Sequence, residues 1–179
     1  MTDEKEFDSI YAAYSKLVYN LCLQYLLHNE DAADATQEVF VKVYQKMHLY
    51  KPEAASFKTW IYQIAINHCL DILKAKKTKK RFGFITSLFQ GDSDEPISQA
   101  LEINHPGIAA ENKERAERLL SIIYALPDNQ KTAIILTRIE ERPQREVAEI
   151  MKLSVKAVES LLQRAKRNIS IALTERKGF

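Results

Sequence analysis

Residues 56–80 read SFKTWIYQIAINHCLDILKAKKTKK, and three kinds of chemistry follow one another along that stretch. Phe57, Trp60 and Tyr62 supply aromatic faces near its start. Thr59, Gln63 and Asn67 supply hydroxyl and amide groups, and Lys74, Lys76, Lys77, Lys79, Lys80 and Arg81 supply positive charge at its end. Projected as a helix at about 100° per residue, Phe57, Trp60, Ile61, Ile64, Ala65, His68 and Ile72 share one broad face. Tyr62, Ile66, Cys69 and Leu73 make most of the far side apolar as well. The polar remainder is a narrow strip of Thr59, Gln63, Asn67, Lys74 and Lys77, interrupted by Leu70. Amides and hydroxyls read base edges, aromatics stack on bases drawn out of a duplex, and lysines neutralise phosphates. A core helix whose lysine-rich end complements its own dipole would use the same residues. This helix alone leaves both readings open.

A second stretch, QREVAEIMKLSVKAVESLLQRAKRNI at 144–169, has the form of a helix-turn-helix. Val147, Ala148 and Met151 face inward on a short first helix, and Val155, Val158 and Leu162 pack a second helix against it. The outward positions of that second helix are Lys156, Glu159, Ser160, Gln163, Arg164 and Arg167. Such a set reaches major-groove edges and flanking phosphates. An ordinary three-helix bundle with a charged face is the competing reading. Catalytic chemistry finds no footing: His28, His48, His68 and His105 show no HxxH or CxxC spacing, and no glycine-rich phosphate loop occurs. Neither a metal nor a cofactor is expected. Cys22 and Cys69 sit singly in apolar helical patterns, as buried thiols do.

The elements that must position these groups are all helical. Phe7, Ile10, Tyr11, Tyr14, Leu17, Val18, Leu21, Cys22 and Tyr25 predict a helix over roughly 4–27. Asn29 is placed to cap a second helix, broken at Tyr50-Lys51-Pro52, and Ser56 caps the third, to about Ala75. Residues 82–107 hold three of the four glycines, lack sustained periodicity and read as a linker. Helices resume over 108–125, then from Asp128 as a cap to about Glu140. Pro143 in a first turn begins another to Met151, and Ser154 caps the last. The predicted fold is all-α, with two small helical domains at 1–81 and 108–179 joined by a flexible linker.

Charge is distributed in blocks. Residues 1–40 carry −6, 41–81 carry +8, 82–111 carry −5 and 112–179 carry +5, within a formal net charge of +2. Two basic blocks around an acidic one suggest two anion-binding units on a tether. The acidic N-terminus, MTDEKEFDSIYAAY, has no signal-peptide build, and no apolar run approaches the roughly 20 residues that cross a bilayer. A cytoplasmic protein without membrane contact of its own is expected.

Taken together, these segments resemble the extracytoplasmic-function sigma factors of bacterial RNA polymerase, within the sigma-70 family. NEDAADATQEVFVKVYQKM (29–47) resembles that family's helix for gripping the polymerase core, and ASFKTWIYQIAINHCLDILKAKK (55–77) its segment for melting and reading the −10 element. LPDNQKTAIILTRIEERPQREVAEIMKLSVKAVESLLQRAKRNI (126–169) resembles its −35-binding domain. The resemblance implies core-polymerase contacts at Asp34, Gln37, Glu38 and Phe40, although Phe40 reads equally well as core packing. It implies −10 contacts at Ser56, Phe57, Lys58, Thr59, Trp60, Gln63, Asn67, Lys74 and Lys77. It implies −35 contacts at Lys156, Glu159, Ser160, Gln163, Arg164 and Arg167. The implied partners are RNA polymerase core, promoter DNA and an anti-sigma factor, and Asp92, Asp94 and Glu95 of the linker would thread a polymerase channel. Lys152 stands where the family usually has Gly in the turn, Ala157 where Thr is common, and Pro143 where Ser or Thr is common. Two rivals remain on residues alone: a free-standing DNA-binding regulator using 112–179, and an RNA-binding adaptor using the lysine run.

Overall fold

The computed structural model describes residues 2–87 and 110–175. These are helical, without a strand among them, and the chain divides into two compact units, Met1–Pro96 and Ile97–Phe179. The first unit contains α1 (Thr2–Leu26), α2 (Asn29–Lys46) and α3 (Phe57–Ser87), with a short 3-10 turn at Met47–Leu49. Its core is assembled from three- and four-residue repeats: Val18, Leu21, Cys22 and Tyr25 of α1, Val39, Phe40 and Val43 of α2, and Ile61, Tyr62, Ala65 and Cys69 of α3. Small residues at Ala32, Ala35 and Ala65 are buried and let the three backbones approach.

α3 runs for 31 residues, past Ala75 and into the first part of the segment expected to be a linker. Lys and Arg are good helix formers and a single Gly costs only about 1 kcal/mol in a helix. Nothing in Lys76–Arg81 therefore stops the helix, and Gly83 is carried within it. The remainder of the expected linker, with Asp92, Asp94 and Glu95, lies outside the described residues.

The second unit contains α4 (Ala110–Ala125), α5 (Asp128–Ile134), α6 (Gln144–Met151) and α7 (Val155–Glu175). Ile123, Leu126, Ile134 and Ala165 form one buried cluster, with Leu162 and Ile169 packed against it. The segment expected as one helix from 128 to 140 is α5 followed by a π-helical turn at Ile135–Ile139. The amide of Glu140 donates to the carbonyl of Ile135 at 2.9 Å, the i→i+5 closure of a π turn.

Caps separate the expectations. Ser56 and Ser154 cap as expected, accepting from the amides of Thr59 and Ala157 at 3.1 Å each. Asn29 does not: His28 is the N-cap, and the Asn29 side-chain carbonyl instead lies 3.4 Å from the Tyr19 hydroxyl. Asp128 sits one residue inside α5 behind Pro127 and pairs with the Lys131 ammonium at 3.3 Å. Pro143 is likewise the N-cap of α6 and not part of its first turn. In both helices a residue with no amide proton takes the cap position, so the acidic or polar neighbour moves inward.

Lys152 closes α6 at φ 55°, ψ 43°, in the left-handed region. The Leu153 amide donates to Ala148 and the Lys152 amide to Glu149, at 2.9 and 3.2 Å. That is a Schellman motif with Lys in the place glycine favours. Cβ crowding opposes this conformation by roughly 1–2 kcal/mol. Lys152→Gly should therefore stabilise α6 and α7 by up to about 1 kcal/mol, the rest being offset by unfolded-state entropy. Amide hydrogen exchange across 144–170 checks this: protection should rise, and a fall would show that the Lys152 side chain contributes more than its backbone strain removes.

Candidate nucleic-acid interfaces

At the start of α3 the polar groups are partly consumed by the fold. The Ser56 hydroxyl donates to Thr59 Oγ1 at 2.9 Å while accepting the Thr59 amide, and Thr59 is 2% exposed. Thr59, expected on the accessible strip, is thus turned against its own cap. Gln63 is half-buried, Asn67 exposed, and Lys74 and Lys77 exposed. At about 100° per residue these four share an arc of roughly 80° over some 21 Å of helix. Lys74 lies 3.9 Å from Asp71, an exposed pair of little energetic weight. Lys58 is half-buried and points off this strip.

The aromatic group is larger than the sequence indicated. Phe57 and Trp60 are each half-buried and 5.4 Å apart, and Tyr50 meets them at 4.9 and 5.4 Å. The Tyr50 hydroxyl donates to the Ala55 carbonyl at 3.0 Å, tying the loop that leads into α3. Tyr50 reads in the sequence only as part of a helix break. Its signal was the aromatic pair seven and ten residues later.

On α2, Asp34, Gln37 and Glu38 are exposed and lie on one face by their three- and four-residue spacing. Phe40 is buried, edge-on to Tyr11 and Phe7 with centroids 4.7 and 6.3 Å apart. Its ring serves core packing. Val41 and Tyr44 are 50% and 53% exposed and continue the same side of α2. With Phe7, Tyr11 and Gln37 they border an open apolar groove. Sequence reading missed them, although both fall outside the inward set of α2, which is the signature of an exposed apolar residue.

α2 and α3 are joined by an unusual pair. The Lys42 ammonium donates to His68 Nδ1 at 2.6 Å, which places the imidazole proton on Nε2, an atom buried without a partner. Burial lowers the His68 pKa, Lys42 lowers it further, and Glu38 and Asp71 act in the opposite sense. The Lys76–Asp31 ion pair, at 2.5 Å, adds a second link between the same helices. Beneath them Cys22 and Cys69 are free, buried and hydrogen-bonded to each other; that bond and burial push Cys69 upward.

In the second unit Lys156, Glu159, Gln163, Arg164 and Arg167 are exposed and Ser160 is half-buried. They share an arc of roughly 140°, opposite the buried Val158 and Ala165. A groove beside this face is lined by Glu159, Gln163 and Lys166 of α7, Gln144 of α6 and Arg138 of the π turn. Arg138, Gln144 and Lys166 were not singled out from sequence, because the π turn that sets the azimuth of Arg138 leaves no periodic trace. Lys131, 2% exposed, is paired with Asp128 and withdrawn from the surface. Among the described residues no group of His, Cys, Asp and Glu gathers as metal ligands, and no helix is long and apolar enough to cross a membrane.

The lowered His68 pKa fixes a sign. The folded chain disfavours the imidazolium, so below the ordinary value of about 6.5 the unfolded chain takes up a proton that the folded chain does not. Stability is then lost as pH falls through that value. Replacing His68 by Gln should flatten the acid limb of stability between pH 7.5 and 5.5, measured by urea unfolding; an unchanged limb would assign it to other groups.

Comparison with known proteins bears on the whole arrangement. Residues 10–79 match the family Sigma-70 region 2 and residues 116–169 match Sigma-70, region 4. The RNA polymerase sigma-H factor of Pseudomonas aeruginosa is 28% identical over 96% of this chain and 88% of its own length. The ECF RNA polymerase sigma-E factor of Haemophilus influenzae is 29% identical over 93% of this chain and 87% of its own. Two solved structures share the fold. CnrH, in complex with the cytosolic domain of CnrY, gives a TM-score of 0.61 at 22% identity, over 96% of this chain and 90% of that one. The sigma factor RpoE of Bartonella quintana, in complex with the anti-sigma factor NepR, gives 0.62 at 15% identity, over 95% and 98%. Two family segments in the right order, within full-length relatives of one kind, settle the assignment: the chain belongs to the sigma-70 family, as an alternative sigma factor of the extracytoplasmic-function class that directs promoter-specific initiation of transcription.

Proposed function

We propose that the chain carries out this role through three separate faces. The α2 face of Asp34, Gln37 and Glu38 docks on the polymerase core, and exposed Val41 and Tyr44 extend the contact with apolar area. The α3 strip of Gln63, Asn67, Lys74 and Lys77 meets the −10 element. Phe57 and Trp60, with Ser56 and Lys58 beside them, capture an extruded base, whose flipping costs a few kcal/mol that stacking must offset. Thr59 acts through Ser56, as part of the cap. The α7 face of Lys156, Glu159, Ser160, Gln163, Arg164 and Arg167 meets the −35 element. Phe40 supports the first face from below.

One observation carries this reading: each matched family segment presents an outward helix face bearing amides and cations, opposite the residues that helix buries in its unit. CnrH is seen in complex with the cytosolic domain of CnrY, and RpoE with the anti-sigma factor NepR. An anti-sigma factor is the corresponding partner here, acting in the cytoplasm on a protein without chemistry of its own.

Purified chain with bacterial core polymerase should start transcription at a cognate promoter, and failure of both transcription and co-elution would discard the proposal. Glu38→Lys should weaken association with core by at least severalfold, since a cation replaces an acid on the docking face; unchanged affinity would leave Glu38 a solvated charge. Arg164→Ala should weaken −35 binding by roughly 1–3 kcal/mol if it contacts a base. A loss equal across all sequences would mark a phosphate contact.

A further inference from the structure

Between Val155 and Thr174, α7 carries one acid, Glu159, among the cations Lys156, Arg164, Lys166 and Arg167. It is exposed and lines the groove with Gln163, Lys166, Gln144 and Arg138. The ion pairs described in this unit join Lys131 to Asp128, and Arg142 to Glu140 and Glu146. None engages Glu159. Its side chain is therefore available for an outside partner, in a place where a solvated charge would disfavour approach to phosphates.

Position along the helix matters as much as charge. Glu159 lies about 6 Å along the axis from Val155 and Gln163 about 12 Å, the width of a major groove being about 12 Å. Arg167, at roughly 18 Å, sits where a strand would pass. Glu159 is thus among the residues that would face base edges.

A carboxylate only accepts hydrogen bonds. In the major groove guanine offers the acceptors N7 and O6, and thymine the acceptor O4 with a methyl group. Adenine offers an amino donor beside the acceptor N7, which would repel the second carboxylate oxygen. Cytosine offers an amino donor with no acceptor next to it on the same base.

We infer that Glu159 is a specificity-determining residue that selects cytosine at one position of the −35 element and rejects the other bases. This rests on the proposed docking of α7 on that element. Selection works by exclusion as much as by attraction: a wrong base leaves a carboxylate desolvated against acceptors and near phosphates, a repulsive device. The surrounding cations hold general affinity for the backbone, so the acid lowers binding to incorrect sites more than to the correct one.

The test uses the full chain assembled with bacterial core polymerase and a promoter library randomised across the −35 element, read by transcript abundance. The wild-type chain should enrich cytosine at one position. In Glu159→Gln, which keeps the shape and removes the charge, that enrichment should fall roughly five- to hundredfold, and transcription from non-cognate members should rise. Glu159→Asp should keep the cytosine preference. An unchanged base profile in Glu159→Gln, or an equal loss across every library member, overturns the inference. Promoter-dependent transcription by the wild-type chain with no cytosine enrichment overturns it while leaving the proposed function standing. No promoter-dependent transcript from the wild-type chain overturns both.

Discussion

A serine hydroxyl accepting the amide three residues ahead fixes the first turn of each helix that carries candidate DNA contacts. Ser56 does so for α3 and Ser154 for α7, at 3.1 Å in both. α2, α5 and α6 begin without a side-chain cap. A cap of this kind is worth about 1 kcal/mol, but its larger consequence is geometric. Each residue of slip turns a helix by about 100°, enough to carry Asn67 or Gln163 off its outward face and a buried valine or isoleucine onto it. Where these helices start sets which of their residues face outward.

Stiffness behind the face comes from burial. α3 places Ile61, Tyr62, Ala65 and Cys69 fully inside, and Lys42 and Asp31 of α2 hold its flank through His68 and Lys76. Tyr50 packs against Phe57 and Trp60 before any base arrives. An aromatic cluster already ordered in the free chain spends less conformational entropy when it meets a ligand. The half-buried state of Phe57 and Trp60 is consistent with both roles that the sequence left open, since one face of each ring can pack while an edge stays accessible.

What could be read in the sequence followed from periodicity, and what could not followed from single-residue contacts. Three- and four-residue spacing marked α1 and α7 and most of their inward residues, because burying one face is what stabilises such helices, although Val155 of α7, expected inward, is 38% exposed. The caps at Ser56 and Ser154 were legible because Ser is favoured there. Asn29 and Asp128 misled: both are good capping types one residue inside the true start. The π turn at Ile135–Ile139 leaves no periodic trace, whereas the left-handed Lys152 stands at the turn position where the resemblance placed a usual glycine. Thr59 was placed on the strip by angle alone, but a hydroxyl one turn from a serine cap finds a partner in it. Val41 and Tyr44 were legible in principle, as apolar residues outside the inward set.

Electrostatics then limits what either unit achieves alone. DNA affinity from phosphate contact grows with the number of counterions released, and about six to ten such contacts make binding steeply salt-dependent. The outward face of α7 and its bordering groove supply five cations, Lys156, Arg164, Lys166, Arg167 and Arg138, with Glu159 set among them. On the α3 strip Lys74 and Lys77 are the exposed cations on that arc among the described side chains. Under the proposed docking, each face alone is a weaker, salt-sensitive binder than the two together, and its preference among sequences comes from its uncharged and acidic groups. A larger assembly that holds both faces on one promoter turns two such weak contacts into one strong one, because the second forms at high effective concentration. On the same proposal, a factor that binds firmly only when both faces engage expresses its specificity in company with the polymerase.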